Sequence, residues 1–224
     1  MRAARWISAL VLVFSLPSAP AGSVLDSARP HLPTLIEAVV LHWPAAPCRE
    51  NFAGQVEQES RWKTTARLKT SREDGRGLVQ LTVAYDAAGK ERFNAFRDAM
   101  AFKALRSWDY RKDPENVKFQ LSYLVLMDRS NFRQFEKYFD DDVSRWAAAL
   151  VAYNAGGGTV IGRRTAAKGI TRINARKWFG DGLESCRLPY ESRKLYGRDL
   201  GEMRNEYPRL IIKTRAPKYK IEMN

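Results

Sequence analysis

The spacing of hydrophobic and polar positions predicts a mainly helical chain. Apolar positions three and four residues apart, together with helix-start and helix-stop residues, define most segments. Alternation of the β type is convincing only over residues 78–85, and residues 63–92 as a whole are polar and contain glycine, which predicts a long loop or short strands. The predicted helices cover residues 35–42, 51–62, 92–108, 115–136 and 141–154, with another within residues 191–205.

These elements predict an α+β fold that is mainly α, with a small β element. We expect a single domain over residues 51–205, because no linker is long enough to divide it. Residues 22–50 contain four prolines and predict an extended lead-in with one short helix. Residues 206–224 form a basic C-terminal tail, in which residues 210–213 predict an edge strand.

Capping residues sharpen two of the helix boundaries. Asn51 is the expected N-cap of the helix over residues 51–62. Three aspartates at positions 140–142 suit the start of the helix over residues 141–154, because acidic groups interact favourably with that end of the helix dipole. Three glycines at positions 156–158 predict the end of that helix.

Residues 1–21 have the pattern of a secretory signal peptide. Two arginines precede an apolar stretch over residues 6–16, and Ala19-Pro20-Ala21 supplies a small-x-small cleavage site. We therefore expect a protein that is secreted or periplasmic after cleavage behind Ala21. A buried N-terminal helix and an uncleaved signal-anchor are the alternatives.

The chain is strongly basic, with 38 Lys and Arg against 25 Asp and Glu and a formal net charge of +13. Cleavage of the signal peptide removes two arginines and leaves +11. The basic residues are dispersed over the chain, which favours attraction to an anionic matrix. No nucleic-acid motif appears, so we expect no specific nucleic acid as a partner.

Composition limits the other classes of site. Two His and two Cys are too few for an ordinary His/Cys metal cluster of about four ligands. No apolar run approaches the roughly 18 residues of a membrane-spanning helix, so we expect no stable membrane span after signal cleavage. In an exported chain Cys48 and Cys186 are candidates for a disulfide, and two buried thiols are the alternative.

One carboxylate of the predicted helix 51–62 has an unusual position. At about 100° per residue, Glu59 lies about 20° from Phe52 on the apolar face, whereas Glu57 lies about 140° away and points elsewhere. A carboxyl group among apolar side chains acquires a raised pKa, which suits a general acid at neutral pH. The alternative is a buried structural Glu that an Arg or a backbone donor satisfies.

Glu59 also belongs to an ordered set of short motifs. The segment Gln58-Glu59-Ser60-Arg61-Trp62 precedes Gly77-Leu78-Val79-Gln80-Leu81, and Ala152-Tyr153-Asn154-Ala155-Gly156 follows much later. The last motif runs from Leu188 to Tyr196 and contains Pro189-Tyr190-Glu191-Ser192. In this order, over roughly residues 45–200, the set resembles the soluble lytic transglycosylase family, which includes goose-type-lysozyme-like folds.

The resemblance implies a lysozyme-like domain that cleaves the glycan strands of peptidoglycan without a cofactor or metal. It implies that Glu59 is the single acid/base. Glu59 would protonate the glycosidic oxygen between N-acetylmuramic acid and N-acetylglucosamine, then deprotonate the C6 hydroxyl and leave a 1,6-anhydro sugar. One carboxylate suffices in such a mechanism because the substrate's own N-acetyl oxygen stabilises the developing cation.

The resemblance further implies a set of substrate-binding residues in the cleft. Polar side chains would hydrogen-bond the sugar and aromatic ones would stack on it, while Gly77 would let the backbone approach it. Each also has an ordinary structural alternative, such as a loop serine, a strand glutamine or a packed tyrosine. The spacing around Tyr196 departs from the family, since Tyr196 follows Glu191 by five residues rather than four. The implied residues are Ser60, Ser71, Gln80, Tyr153, Asn154 and Tyr196.

The stretch between Glu59 and Gln80 is longer than in typical members and carries Glu73 and Asp74 where small residues are usual. Either acid would serve as the second carboxylate of a muramidase that hydrolyses the same bond. A non-catalytic cell-wall-binding module is the other alternative. The sequence leaves open whether the role is wall remodelling, assembly of a secretion or conjugation machine, or phage assembly.

Overall fold

A computed structural model of the chain describes residues 21–195 and 197–223. The predicted signal peptide over residues 1–21 lies outside the described residues apart from Ala21, and Tyr196 lies outside them as well. In the described part, helices predominate over a small antiparallel sheet, which confirms the predicted fold class of a mainly α, lysozyme-like α+β protein. The helices are α1 (Ala21–Ala28), α2 (Leu32–His42), α3 (Glu50–Ser60), α4 (Ala95–Ala99), α5 (Val117–Phe135), α6 (Asp142–Ala155), α7 (Gly157–Ala167) and α8 (Leu200–Leu210).

The chain divides into two compact units. The first unit comprises residues 21–127 and 213–223 of the described part, and the second unit is Asp128–Ile212. The boundary between residues 127 and 128 falls within α5. No helix in the described ranges is both long enough and apolar enough to span a membrane.

A four-stranded antiparallel meander belongs to the first unit. Its strands, in spatial and sequence order, are β1 (Arg67–Lys69), β2 (Glu73–Arg76), β3 (Leu81–Tyr85) and β4 (Glu91–Asn94). The short-strand alternative for residues 63–92 is therefore confirmed. The strand predicted from residue 78 starts only at Leu81, because Gly77 and Gln80 adopt positive φ angles of 73° and 48° and form a turn.

The helix predicted over residues 92–108 is largely wrong. The chain enters this segment as β4, whose Asn94 is paired with Val83 of β3. The Asn94 side chain then accepts a hydrogen bond from the Arg97 amide at 3.1 Å and starts the short helix α4. A 3-10 turn at Lys103–Leu105 completes the segment. Pairing with a neighbouring strand thus overrides the local helical pattern.

The segments before α3 and after α8 differ in part from expectation. Helix α2 confirms the short helix predicted over residues 35–42, but α1 was not predicted, so the lead-in is helical over most of residues 21–42 and not extended. The edge strand predicted at residues 210–213 is wrong: after α8 the chain continues as a π-helical turn at Ile211–Arg215 and a 3-10 turn at Ala216–Tyr219. We call residues 213–223 the C-terminal segment.

Helices α5 and α6 confirm the predicted helices over residues 115–136 and 141–154. Asp141 caps α6, because its carboxylate accepts a hydrogen bond from the Ser144 amide at 2.7 Å. Gly156, with φ at 80°, ends α6 as expected, but α7 starts at the next residue. In the second unit, α6 packs against aromatic and aliphatic side chains that include Phe135, Phe139 and Trp178.

A buried ion-pair cluster joins three segments of the second unit. Two small strands, β5 (Lys194–Leu195) and β6 (Arg198–Asp199), follow Glu191, which is fully buried. Its carboxylate pairs with the equally buried Arg163 at 2.9 Å and with Arg204 at 3.0 Å, and it accepts the Leu188 amide at 2.8 Å. Burial alone would raise the pKa of Glu191, but these donors lower it below its usual value.

We predict that Glu191→Gln lowers the free energy of unfolding by about 3–5 kcal/mol, because it leaves Arg163 and Arg204 without their buried counter-charge. Urea denaturation at neutral pH measures the change. Glu202→Gln is the control, since Glu202 is largely exposed and its pair with Arg187 is long at 3.6 Å; we expect a loss below about 1 kcal/mol there. Equal losses in both variants would contradict the prediction.

Candidate active site

The last turn of α3 carries Glu59. The helix spans Glu50–Ser60, so the predicted helix is confirmed, although Arg49 precedes it and Asn51 lies inside it instead of capping it. Glu59 is half-buried, and one of its carboxylate oxygens, Oε2, is buried. Glu59 therefore combines a buried carboxylate oxygen with a side chain that is only partly removed from solvent.

Glu57, not Glu59, is the most buried carboxylate of α3. Only 2% of its surface is exposed, which reverses the burial expected from helical periodicity. Its Oε1 accepts hydrogen bonds from Arg215 at 2.8 Å and Lys218 at 2.7 Å, and its Oε2 accepts the Tyr219 hydroxyl at 2.8 Å. The C-terminal segment therefore covers the side of α3 that the local pattern assigns to solvent.

The residues that follow α3 have an unusual backbone. Arg61 and Trp62 have φ angles of 54° and 64°, both in the left-handed region that residues with a side chain rarely adopt. Trp62 is buried, and its indole Nε1 donates to the Tyr219 hydroxyl at 2.9 Å. The ring of His31 lies parallel to that of Trp62, with centroids 6.4 Å apart.

The Gln80 side chain stabilises the turn before β3 through hydrogen bonds. Its side chain is buried, and its amide nitrogen donates to the carbonyls of Gly77 at 3.0 Å and Ala66 at 3.2 Å. These bonds tie the 77–80 turn to the chain that leads into β1. The role in substrate binding that the resemblance implies for Gln80 stays a prediction.

Gly77 is required for a reason other than approach to a sugar. A Cβ at this position would collide with the amide of Gln120, and its φ of 73° already favours glycine. The Gln120 amide donates to the Pro114 carbonyl at 2.7 Å, and its oxygen accepts the Val79 amide at 3.3 Å. Gln120 is fully buried and thereby attaches the turn to α5.

The two serines of the predicted site occupy different environments. Ser60 is buried, and its hydroxyl donates to the Val56 carbonyl one turn earlier in α3 at 3.2 Å. Ser71 is exposed in the turn between β1 and β2. In that turn the neighbouring Thr70 hydroxyl accepts the Arg72 and Glu73 amides at 3.1 and 3.0 Å.

The two acids proposed for a hydrolase lie in β2. The Arg67 guanidinium binds both oxygens of Asp74 at 2.9 Å, and Arg76 adds a contact at 3.0 Å. The hydrogen bond from Arg67, supported by the charge of Arg76, lowers the pKa of Asp74 to about 2. Asp74 is therefore an anion already committed to two cations, while Glu73 is buried with its Oε2 shielded from solvent.

The remaining predicted site residues belong to the second unit. Tyr153 is half-buried and Asn154 is buried, both in the last turn of α6 before Gly156. Tyr196 lies outside the described residues. The structure thus brings Glu59, Ser60 and Gln80 into one unit with Ser71, and Tyr153 with Asn154 into the other.

The predicted disulfide is absent. Cys48 is exposed and Cys186 is buried, and no disulfide joins these two described cysteines. The Cys186 thiol donates to the Arg163 carbonyl at 3.3 Å, and burial raises its pKa. The alternative of two buried thiols is also wrong for Cys48.

Three supporting residues escaped the sequence analysis: Glu57, Gln120 and Tyr219. Glu57 and Tyr219 lie 162 positions apart, so no local pattern connects them. A signal was nevertheless present for Gln120, since a glutamine among the apolar positions of an amphipathic helix requires a hydrogen-bond partner. This inference about Gln120 requires no family motif.

We predict that Asp74→Asn lowers the free energy of unfolding in a pH-dependent way. The pKa of Asp74 is about 2 in the folded chain against an ordinary 3.8, so its contribution is present above about pH 4 and is lost as the pH falls toward 2. We expect a loss of about 2 kcal/mol at most at pH 7, and about half of that at pH 3.

Urea denaturation of the wild type and the variant at both pH values measures this difference. Asp109→Asn is the control, because the pair of Asp109 with Lys112 is largely exposed and we expect little change at either pH. A difference between wild type and Asp74→Asn that is the same at pH 7 and pH 3 would contradict the assigned ion pair.

Comparison with known proteins gives one family match. The model of the transglycosylase SLT domain matches residues 52–174, more than half of the chain. No curated protein matches the chain. The matched segment contains the motifs around Glu59, Gln80 and Tyr153, and it supports a function of the lytic transglycosylase type, acting on peptidoglycan. The chain belongs to the transglycosylase SLT family.

Proposed function

We propose that this protein is a peptidoglycan lytic transglycosylase with Glu59 as its single acid/base. It cleaves the β-1,4 bond between N-acetylmuramic acid and N-acetylglucosamine and forms a 1,6-anhydro-muramic end. It acts after export, in the periplasm or outside the cell. The proposal rests on family membership and on the position of Glu59, which lies in the family-matched segment and is only half-buried.

The observation that carries the assignment is a difference in availability among the carboxylates. Glu57 is buried under three donors, and both oxygens of Asp74 are bound by arginines. Glu59 lies in the family-matched segment and is half-exposed, with one oxygen buried. A carboxyl group must exchange protons with substrate during the reaction, which favours Glu59 over the buried Glu57 and over Asp74, whose pKa of about 2 keeps it ionised at neutral pH.

The reaction requires one group that gives and then takes a proton. The protonated Glu59 donates its proton to the glycosidic oxygen, the bond from C1 of the muramic residue to that oxygen breaks, and the N-acetylglucosamine 4-hydroxyl leaves. The substrate's N-acetyl oxygen stabilises the positive charge at C1. The Glu59 carboxylate then removes the C6 hydroxyl proton as O6 bonds to C1, which restores the protonated acid without consuming water.

Substrate binding is proposed for the remaining family-implied residues. Ser71 is exposed and Tyr153 is half-buried, so part of each side chain reaches the solvent, where a polysaccharide can contact it. Ser60 and Gln80 are buried and donate to backbone carbonyls of their own unit, and we propose that they act mainly by holding that backbone. Substrate binding by the buried Asn154 is proposed on the resemblance alone. Tyr196 remains a proposed donor to the catalytic carboxyl on the resemblance alone.

Digestion of purified peptidoglycan tests the proposal. The full chain is incubated with peptidoglycan, and soluble products are identified by mass spectrometry. We predict anhydro-muropeptides from the wild type and a fall in their rate of release of about 10²–10⁴-fold in Glu59→Gln, the range for loss of general acid–base catalysis. Glu50→Gln is the matched control, because Glu50 lies in the first turn of the same helix.

The chemical identity of the released muropeptides distinguishes a transglycosylase from a muramidase and from a non-catalytic binding module. Reducing muropeptides would overturn transglycosylation and indicate a muramidase, for which Glu73→Gln and Asp74→Asn identify the second acid. Equal product release by the wild type and Glu59→Gln would overturn the role of Glu59. Binding to peptidoglycan without any released product would indicate the non-catalytic wall-binding module.

A further inference from the structure

The C-terminal segment, residues 213–223, lies directly against the helix that carries Glu59. A Cβ at Gly54 would stand 2.7 Å from the Ala216 amide nitrogen, so the absence of a side chain at Gly54 allows the two backbones to touch. Ala216 belongs to the 3-10 turn at Ala216–Tyr219. This segment lies beyond residues 52–174, the part of the chain that matches the family.

Four polar contacts fasten this segment to the last turn of α3. Arg215 donates to Gln58 at 2.6 Å and to Glu57 at 2.8 Å, and Lys218 donates to Glu57 at 2.7 Å. Tyr219 donates to the other oxygen of Glu57 at 2.8 Å. Both residues immediately preceding Glu59 are therefore held by side chains from the C-terminal segment.

Tyr219 also reaches the residues that follow α3. Its hydroxyl accepts the Trp62 indole Nε1 at 2.9 Å while it donates to Glu57. Burial, together with the adjacent Glu57 carboxylate, raises the pKa of Tyr219 far above its usual value, so the hydroxyl keeps its proton at any physiological pH. One buried hydroxyl thus connects positions on both sides of Glu59.

The C-terminal end of α3 requires contacts from outside the helix to hold its conformation. The last turn of a helix frays because its carbonyls lack intrahelical partners. Arg61 and Trp62 both have left-handed backbone conformations, which are unfavourable for residues with side chains unless their surroundings hold them. Rotation of that turn would redirect Glu59, because each residue on a helix points about 100° from the next.

We propose that Glu57 and Tyr219 are positioning residues, through which the C-terminal segment fixes the last turn of α3 and so the direction of the Glu59 carboxyl. This inference rests on the proposed function of Glu59. Neither residue contacts the reacting atoms in this mechanism. They affect the geometry of proton transfer. The rate of the reaction falls steeply when a catalytic group is displaced.

The test is Tyr219→Phe, which removes one hydroxyl and keeps the ring. Initial rates of anhydro-muropeptide release are measured at increasing peptidoglycan concentration. We predict a fall in kcat of about tenfold with KM changed less than twofold, because chemistry is impaired and binding is not. Amide hydrogen exchange of the same protein should become faster at residues 57–62 and stay unchanged in α5 and α6.

Two controls separate positioning from a general loss of stability. Tyr110→Phe makes the same substitution at a half-exposed tyrosine of the first unit, and we expect wild-type rates. Phe139→Leu weakens the core of the second unit, and at a temperature where it remains folded we expect wild-type kcat. Glu57→Gln is a second variant of the cluster and should reproduce the kcat effect if it folds.

Each outcome decides the proposal. Unchanged kcat in Tyr219→Phe, or an equal fall in Phe139→Leu, would overturn the positioning role while leaving the proposed function intact. Unchanged hydrogen exchange at residues 57–62 would overturn the support of α3 whatever the activity. A wild type that releases no anhydro product overturns the proposed function first, and the catalytic part of this inference with it.

Discussion

The burial of a negative charge at Glu57 is the constraint on which the first unit depends. A carboxylate with 2% of its surface exposed is strongly destabilising unless donors replace its lost water. Arg215, Lys218 and Tyr219 supply those donors from the C-terminal segment. Folding of α3 and docking of that segment are therefore coupled, because the Glu57 carboxylate is buried only together with the two half-buried cations that pair with it.

A buried carboxylate with basic partners also occurs in the second unit, at Glu191. There too, one buried carboxylate is matched by two basic side chains, Arg163 and Arg204, from elements distant in sequence. The two clusters pair four basic side chains with two carboxylates, so internal pairing accounts for part of the basic excess of the chain.

Sequence patterns predicted those elements whose stability is local. Helices α5 and α6 lie within two residues of their predicted ends, because a long apolar face and the Asp141 cap act within the segment itself. The segment over residues 92–108 was predicted wrongly because β4 forms by pairing with β3. The late start of β3 follows from the left-handed φ of Gln80, which no propensity scale assigns to glutamine.

In the candidate site, too, local patterns failed where burial depends on residues distant in sequence. Family motifs located Glu59, but helical periodicity assigned the buried face of α3 to the wrong glutamate. Periodicity counts only neighbours within the helix, whereas the burial of Glu57 is decided by residues more than 150 positions later. The sequence identified residues 206–224 only as a basic tail with an edge strand, and nothing in it indicated that two of the cations are the counter-charges of Glu57.

The motif around Gln80 illustrates how family residues divide between chemistry and support. Gly77 is fixed by its φ and by the Gln120 amide, and Gln80 by two backbone carbonyls. Both are needed to build the turn whether or not a sugar ever contacts them. Residues of a short motif can therefore serve to hold a backbone in an unfavourable conformation. The residue to test as the catalyst is therefore Glu59, which lies in the family-matched segment and whose carboxyl group can give and take a proton.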